Sequence, residues 1–161
     1  MNVETILFPT DFSHYNDAAL KLASSLAAET GAMLHIVYVH DARDLNAAMG
    51  EAGYLYASSW EESLERAKQR LQSVVPTIAG LSYDQNCLLG NPAFEILNFA
   101  EAHDVDLIVM ASHGRTGLSR LLMGSVAEGV MRRACCPVLI VKQPIGEAEL
   151  QRAVEVNAAE H

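Results

Sequence analysis

The sequence predicts a single α/β domain built on an open parallel sheet with helices on both faces, and three observations carry that prediction. Strand-like and helix-like segments alternate along nearly the whole chain, the order in which right-handed crossovers lay strands side by side in one sheet. Met33 to Val39 (MLHIVYV) is apolar almost without interruption, as a strand must be when both of its faces are covered. The chain has 161 residues, of which 50% are hydrophobic and 19% charged, which suits one compact domain with its own core.

Val3 to Pro9 (VETILFP) opens the chain as a strand rich in aliphatic and β-branched residues, and Pro9, with no N–H to donate, ends its ladder. Ala19, Leu22, Ala23, Leu26 and Ala27 then recur at helical spacing, with Asp11 and Ser13 as candidate caps and Gly31 as the stop. Met33 to Val39 is the second strand. Residues 41 to 57 follow neither period and read as a long connection. Leu64, Ala67, Leu71, Val74 and Ile78 form the stripe of a second helix, with Glu62 four residues before Arg66 as a surface pair. Pro76 either kinks that helix or stops it just before. A third strand over Ser82 to Leu88 leads to a third helix, opened by Asn91 as cap and Pro92 at the first helical position, with Ala93, Ile96, Leu97 and Ala100 on its apolar side. Asp106 to Ala111 (DLIVMA) is the fourth strand. After a loop from Ser112 to Gly117 a last helix runs to about Ala134, and Pro137 to Val141 (PVLIV) is the fifth strand. From Pro144 the chain turns acidic, so the domain is read as residues 1–143 and residues 144–161 as an acidic tail, helical or frayed.

Lys and Arg number 11 against 20 Asp and Glu, a formal net charge of -9 that works against non-specific binding to DNA, RNA or anionic membranes. Basic charge is nonetheless gathered in one segment, residues 111–133, where Arg115, Arg120, Arg132 and Arg133 face a single acid, Glu128. No uncharged apolar run approaches the roughly 18 residues of a membrane span, and Met1-Asn2-Val3-Glu4 lacks the basic start and apolar stretch of a signal peptide. A cytoplasmic location is expected. Cys87, Cys135 and Cys136 are odd in number and include an adjacent pair, which does not suit a disulfide framework; reduced, mostly buried thiols without a redox role are expected.

In such sheets ligands sit beyond the carboxyl ends of the strands, where the strand order switches. The informative stretch there is Ala111 to Ser125 (ASHGRTGLSRLLMGS), which leaves a buried strand, passes three glycines and enters a helix. Glycines let backbone amides approach a phosphate, and the first-turn amides of the helix are donors at its positive end. Gly114, Gly124 and Ser125 would form this anion cradle. Ser125 to Glu128 equally fits a Ser-x-x-Glu capping box, so spacing alone leaves both readings open.

Continued through SVAEGVMRRACCPVLIV, the segment resembles the universal stress protein family, and specifically its ATP-binding branch, and the resemblance extends over nearly the whole chain. The branch pattern Gly-x2-Gly-x9-Gly-Ser/Thr lands on Ala111, Gly114, Gly124 and Ser125, three of the four positions agreeing. Ala111 departs from the first glycine, and its methyl would matter if the backbone there needed a positive φ. A second signature, Pro9-Thr10-Asp11, resembles the family's Pro-Thr-Asp start. The resemblance implies a Rossmann-like five-stranded parallel sheet in the order 3-2-1-4-5. It further implies that the Asp11 carboxylate meets the ribose, that the backbone of Val39 meets the adenine edge, that Met110 packs near sugar or base, and that Val126 and Ala127 add contacts at the last helix's start. His113, inside the loop, would reach phosphate through its backbone, whereas Arg115 and Arg120 are ordinary loop cations. The residue-level alternatives are helix capping for Asp11 and plain core for Val39 and Met110.

The lysines are Lys21, Lys68 and Lys142, so no P-loop lysine stands in the glycine segment, and neither a dinucleotide fingerprint nor a nucleophile elbow is present. His14, His35, His40, His103 and His161 lack metal-site spacing, so any Mg²⁺ would arrive with the triphosphate. The expected function is therefore an ATP-binding regulatory stress protein with at most slow hydrolysis and no catalytic residue. Pro137 to Val141, an apolar edge strand, is expected to pair with its copy in a homodimer, as in the family, unless the acidic tail covers it. The alternatives are a dimeric interaction module that binds no nucleotide and, with little support at this length, an ATP-dependent activating enzyme.

Overall fold

The computed structural model describes residues 2–41, 57–112 and 123–142. Five strands, β1 (Thr5–Thr10), β2 (Met33–Asp41), β3 (Tyr83–Gly90), β4 (Leu107–Ala111) and β5 (Val138–Val141), pair in parallel in the order β3-β2-β1-β4-β5. Helices α1 (Asp17–Thr30) and α2 (Ala57–Gln72) cover one face, and α3 (Pro92–Ala102) and α4 (Ser125–Arg133) the other. The side-chain alternation of the central strands feeds both layers. Ile6, Phe8, Ile36 and Tyr38 pack toward Ala19, Ala23, Ala27 and Leu71, while Leu7, Val37 and Ile108 pack toward Ile96, Phe99, Ala127 and Val130. Small residues on α1 let it lie close on the sheet.

The strong local signals hold. Gly31 ends α1 in the left-handed conformation, with its N–H donating to the Ala27 carbonyl at 2.9 Å. The Asn91 side chain accepts from the Phe94 amide at 3.2 Å, with Pro92 opening α3. The second helix ends at Gln72, before Pro76, so Val74 and Ile78 fall outside the stripe they seemed to extend. Continuation through Pro76 would forfeit the bond to the Gln72 carbonyl. Instead the Gln85 side-chain amide donates to the carbonyls of Leu71 at 3.0 Å and Val74 at 2.8 Å, closing the end of α2 from β3. The last helix begins at Ser125, with Met123 and Gly124 in the coil before it.

None of the three free cysteines is buried, contrary to expectation: Cys87 and Cys136 are half-buried and Cys135 is exposed. Their elements explain this, since Cys87 lies on β3 and the pair precedes β5, the two outer strands of the sheet. Residues 41–57, but for their ends Asp41 and Ala57, and the tail 144–161 lie outside the described residues.

The pairing of β1 is uneven, and this positions the site. It runs beside β2 over six residue pairs but beside β4 over only Ile6↔Leu107 and Leu7↔Ile108. At the amino end the two strands are clamped: Asp106 Oδ2 accepts from the amides of Glu4 at 2.8 Å and Thr5 at 3.0 Å, and the Asp106 amide donates to the Thr5 carbonyl. The ladder ends at Leu7 and Ile108, since Pro9 has no N–H to donate.

Candidate functional site

The strand order reverses between β1 and β4, and the crevice outside the carboxyl ends of the strands at such a reversal is where open α/β sheets hold ligands. Pro9, Thr10 and Asp11 stand on one side of it. Val39 follows from the register, which sets Thr10 beside Tyr38. Met110 and Ala111, at the end of β4, stand on the other side. The far wall is brought in by two backbone bonds: the Ser112 amide donates to the Val141 carbonyl at 3.0 Å, and the Gly124 amide to the Ser112 carbonyl at 2.9 Å. The amino end of α4 is thereby tied to the end of β4. Of the residues the sequence singled out, Pro9, Thr10, Met110, Ala111 and Ala127 are buried and shape the floor, whereas Asp11, Val39, Gly124, Ser125 and Val126 keep accessible surface. His113 and Gly114, with Arg115 and Arg120, lie outside the described residues.

Two ambiguities of the sequence are resolved here. The capping box is not formed: Gly124 is the N-cap of α4, no side chain caps it, and Ser125 is the first helical residue. Glu128 turns instead to Arg132, at 2.9 Å from its Nη2. A glycine cap has no side chain of its own to accept from the first-turn amides, which have no partner within a helix. Ala111 is an ordinary strand residue, and the positive-φ residues other than glycine among those described are Phe12 and Asp104. Its methyl therefore imposes no backbone strain.

Asp11 organises a turn and does not cap α1. Its Oδ1 accepts from the Ser13 amide at 3.0 Å, the Ser13 hydroxyl at 2.6 Å and the Asn16 side-chain amide at 2.5 Å. A short 3₁₀ turn, His14–Asn16, then leads into α1, whose cap residue is Asn16. These bonds hold the carboxylate at the crevice mouth in one orientation. Between Asp11 and Ser13, Phe12 takes φ 65°, a left-handed conformation uncommon for a bulky residue. Its amide donates to Thr10 Oγ1 at 3.1 Å, its ring stacks on Tyr38 at 4.3 Å, and Arg70 of α2 donates to its carbonyl at 2.9 Å. Sequence reasoning missed this latch because its partners are far apart in the chain.

The Usp family model, described as the universal stress protein family, matches residues 2–142. The chain belongs to the universal stress protein family. Universal stress protein MJ0531 of Methanocaldococcus jannaschii is 39% identical over 145 residues, covering 86% of this chain and 82% of that one. The solved structure of MJ0577, reported as a structure-based assignment of biochemical function, superposes with a TM-score of 0.67 at 30% identity, covering 91% of this chain and all of that one. A universal stress protein from Archaeoglobus fulgidus, solved in complex with dAMP, shares the fold at 22% identity and a TM-score of 0.55, over 88% of this chain and 100% of that one. Among the described residues no helix is long and apolar enough to cross a membrane, and no group of three or more His, Cys, Asp and Glu side chains is placed to hold a metal ion.

Proposed function

We propose that this universal stress protein binds ATP in the crevice between β1 and β4 and acts as a cytoplasmic, homodimeric regulator, not as an enzyme of rapid turnover. The observation that carries the reading is the glycine-capped amino end of α4, tied to the end of β4, with the tethered carboxylate of Asp11 following the end of the neighbouring strand β1. Donor set and ligand fit each other. Backbone amides at a positive helix end suit a polyphosphate, a carboxylate suits ribose hydroxyls, and the half-buried apolar side chains of Val39, Met123 and Val126 suit a purine face. The dAMP complex of the Archaeoglobus fulgidus relative lends support to an adenine ligand for this fold.

Bound nucleotide would supply charge at the seam of the sheet, and any Mg²⁺ would come with its phosphates. This chain's own residues hold and orient: Ser125 to Ala127 through their amides, Asp11 through a carboxylate fixed by Ser13 and Asn16. The segment Ala111 to Ser125 contains no lysine, so hydrolysis is expected to be slow. β5 is the dimerisation strand in this reading.

The test is to denature the purified protein and identify released nucleotide by mass spectrometry. Wild type is expected to release an adenine nucleotide, and Gly124→Val and Asp11→Ala to emerge empty with helical content unchanged by circular dichroism. Gly124 has φ -60° and ψ 143°, which valine also adopts, so that variant obstructs the cradle without straining its backbone. Wild type that stays empty after incubation with millimolar ATP, ADP and AMP would refute the proposal and favour the interaction module.

A further inference from the structure

β3 forms the edge of the sheet opposite β5, and it lacks the features that usually keep an edge strand from pairing. Tyr83–Gly90 is 8 residues long, contains no proline or lysine and carries one charge, Asp84. Its register with β2 runs one to one from Leu34↔Tyr83 to Asp41↔Gly90, without a bulge. Every residue of the strand keeps accessible surface, whereas all of β1 but Thr5 is buried.

An edge strand offers its outer backbone groups at every second residue. The Leu34 amide donates to the Ser82 carbonyl at 3.0 Å, so Ser82, Asp84, Asn86 and Leu88 turn their N–H and C=O groups toward β2. Tyr83, Gln85, Cys87 and Leu89 turn theirs outward. The same alternation puts the side chains of this outward row on the α2 face, where Gln85 reaches the end of α2 and Cys87 packs against the core beneath it. Tyr83 and Leu89 stand at the two ends of the row and are 40% and 53% exposed.

The row is complementary to itself. In an antiparallel pair of two β3 strands with its two-fold axis at Asn86, Tyr83 comes opposite Leu89 of the second copy and Gln85 opposite Cys87 of the second copy. Outward backbone groups then meet outward backbone groups, and each exposed apolar side chain gains an apolar neighbour on its own face. Asp84 comes opposite Leu88, so the one charge of the strand does not oppose its copy. Its carboxylate is held on the other face, where Oδ1 accepts from His35 Nδ1 at 2.8 Å and from the Asn86 side-chain amide at 2.7 Å. Sliding one strand by a single residue would set outward groups against inward ones, and sliding it by two would part Tyr83 from Leu89.

We propose that β3 is a self-association edge, on which a second copy of this chain adds its own β3 in antiparallel register centred on Asn86. One strand pair with an apolar contact at each end is a small interface, below the about 1,200 Å² of stable complexes, so the association is reversible and needs a high protein concentration. Each copy carries a net charge of -9, and added salt strengthens the contact by screening that repulsion. The inference uses neither the nucleotide nor β5. Where β5 pairs as well, contacts at opposite edges of the sheet join dimers end to end.

Disulfide trapping tests the register. Asn86 meets Asn86 of the second copy as a non-hydrogen-bonded pair, with Cα atoms about 4.5 Å apart, a separation that a disulfide spans. In a chain carrying Cys87→Ser, Cys135→Ser and Cys136→Ser, Asn86→Cys is expected to cross-link to a dimer in air with copper phenanthroline, and faster than Leu89→Cys in the same background. Leu89 is the more exposed position, but in this register it lies about 20 Å along the strands from its own copy. Tyr83→Lys added to the Asn86→Cys chain is expected to slow cross-linking about tenfold. In the unmodified chain, hydrogen exchange is expected to show the amides of Tyr83, Gln85, Cys87 and Leu89 protected at about 1 mM protein and open at about 10 μM. Three results would overturn the proposal: cross-linking by Leu89→Cys as fast as by Asn86→Cys, a rate that Tyr83→Lys leaves unchanged, or amide protection that does not vary with protein concentration. Protection at every concentration would put another segment of this chain on the edge, and protection at none would leave the edge to a partner of another kind.

Discussion

Gly90 offers a prediction whose size follows from two geometric facts. It ends β3 beside Asp41, immediately before the Asn91 cap of α3, with φ +143°. That value lies beyond the small left-handed basin that other residues visit, so alanine there carries backbone strain of about 1–3 kcal/mol. A Cβ built on Gly90 would also meet Glu95, at 2.5 Å from Oε1, 2.9 Å from Cγ and 3.0 Å from Cδ. The second conflict is soft, because the Glu95 carboxylate can swing away. Against both stands the smaller conformational freedom of alanine in the unfolded chain, worth about 0.4–1 kcal/mol in favour of the variant. The net expectation for Gly90→Ala is a loss of about 1–2 kcal/mol, or some 2–8 °C in Tm for a chain of this length.

Urea unfolding of wild type, Gly90→Ala, Glu95→Ala and the double variant separates the two contributions. If the backbone dominates, removing the Glu95 side chain rescues little, and the double variant stays within about 0.5 kcal/mol of the sum of the single changes. A Gly90→Ala protein as stable as wild type would refute the backbone argument. Full rescue by Glu95→Ala would refute it too, by assigning the whole effect to the side-chain contact.

Three further outcomes are expected. The paired-β5 reading predicts twice the chain mass in sedimentation equilibrium and a shift to monomer for Leu139→Lys, whose wild-type side chain is 38% exposed on the edge strand; a wild-type monomer at tens of micromolar would sink it. Burial pushes the thiols of Cys87 and Cys136 up, the latter helped by neighbouring Cys135, so both should alkylate later than exposed Cys135 as pH is raised, read by mass spectrometry of iodoacetamide adducts. The folded state then holds these protons more tightly than the unfolded one, so stability falls as pH rises past the ordinary thiol pKa of about 8.5; stability that rose there would reverse the sign.

The parts legible in the sequence are those decided within a few residues or by topology rules. Alternating apolar periods imply the parallel sheet, Gly31 stops α1, and Asn91 with Pro92 starts α3, because each signal acts on its own backbone. Asp11, Val39 and Ala111 could be placed at neighbouring strand ends through the strand order that the resemblance to the family implies. What was not legible depends on partners distant in the chain. The end of α2 is closed by Gln85, the conformation of Phe12 is held by Tyr38 and Arg70, and the capping box at Ser125 yields to the Gly124–Ser112 bond. Periodicity carried the α2 stripe to Ile78, since it registers apolar spacing and not the carbonyl that Pro76 leaves without its donor.

The ladder between β1 and β4 is short because Pro9, which like Thr5 presents its backbone toward β4, has no N–H to donate. β1 stays with β2 to its last residue, Thr10, and β4 stays with β5 through Ala111, beyond which the Ser112 amide still finds the Val141 carbonyl. The order of the sheet reverses between two runs of strands, β3-β2-β1 and β4-β5, joined at the amino end by Asp106. Backbone polar groups near such a seam must be satisfied by something other than the neighbouring strand. On the β1 side the Asp11 turn does this locally, and on the β4 side the Gly124 bond does it by drawing in α4. Under the proposed reading, an anion with hydroxyl groups would meet the amides at the start of α4 and the Asp11 carboxylate after β1 together, satisfying donors and acceptor from both sides of the reversal.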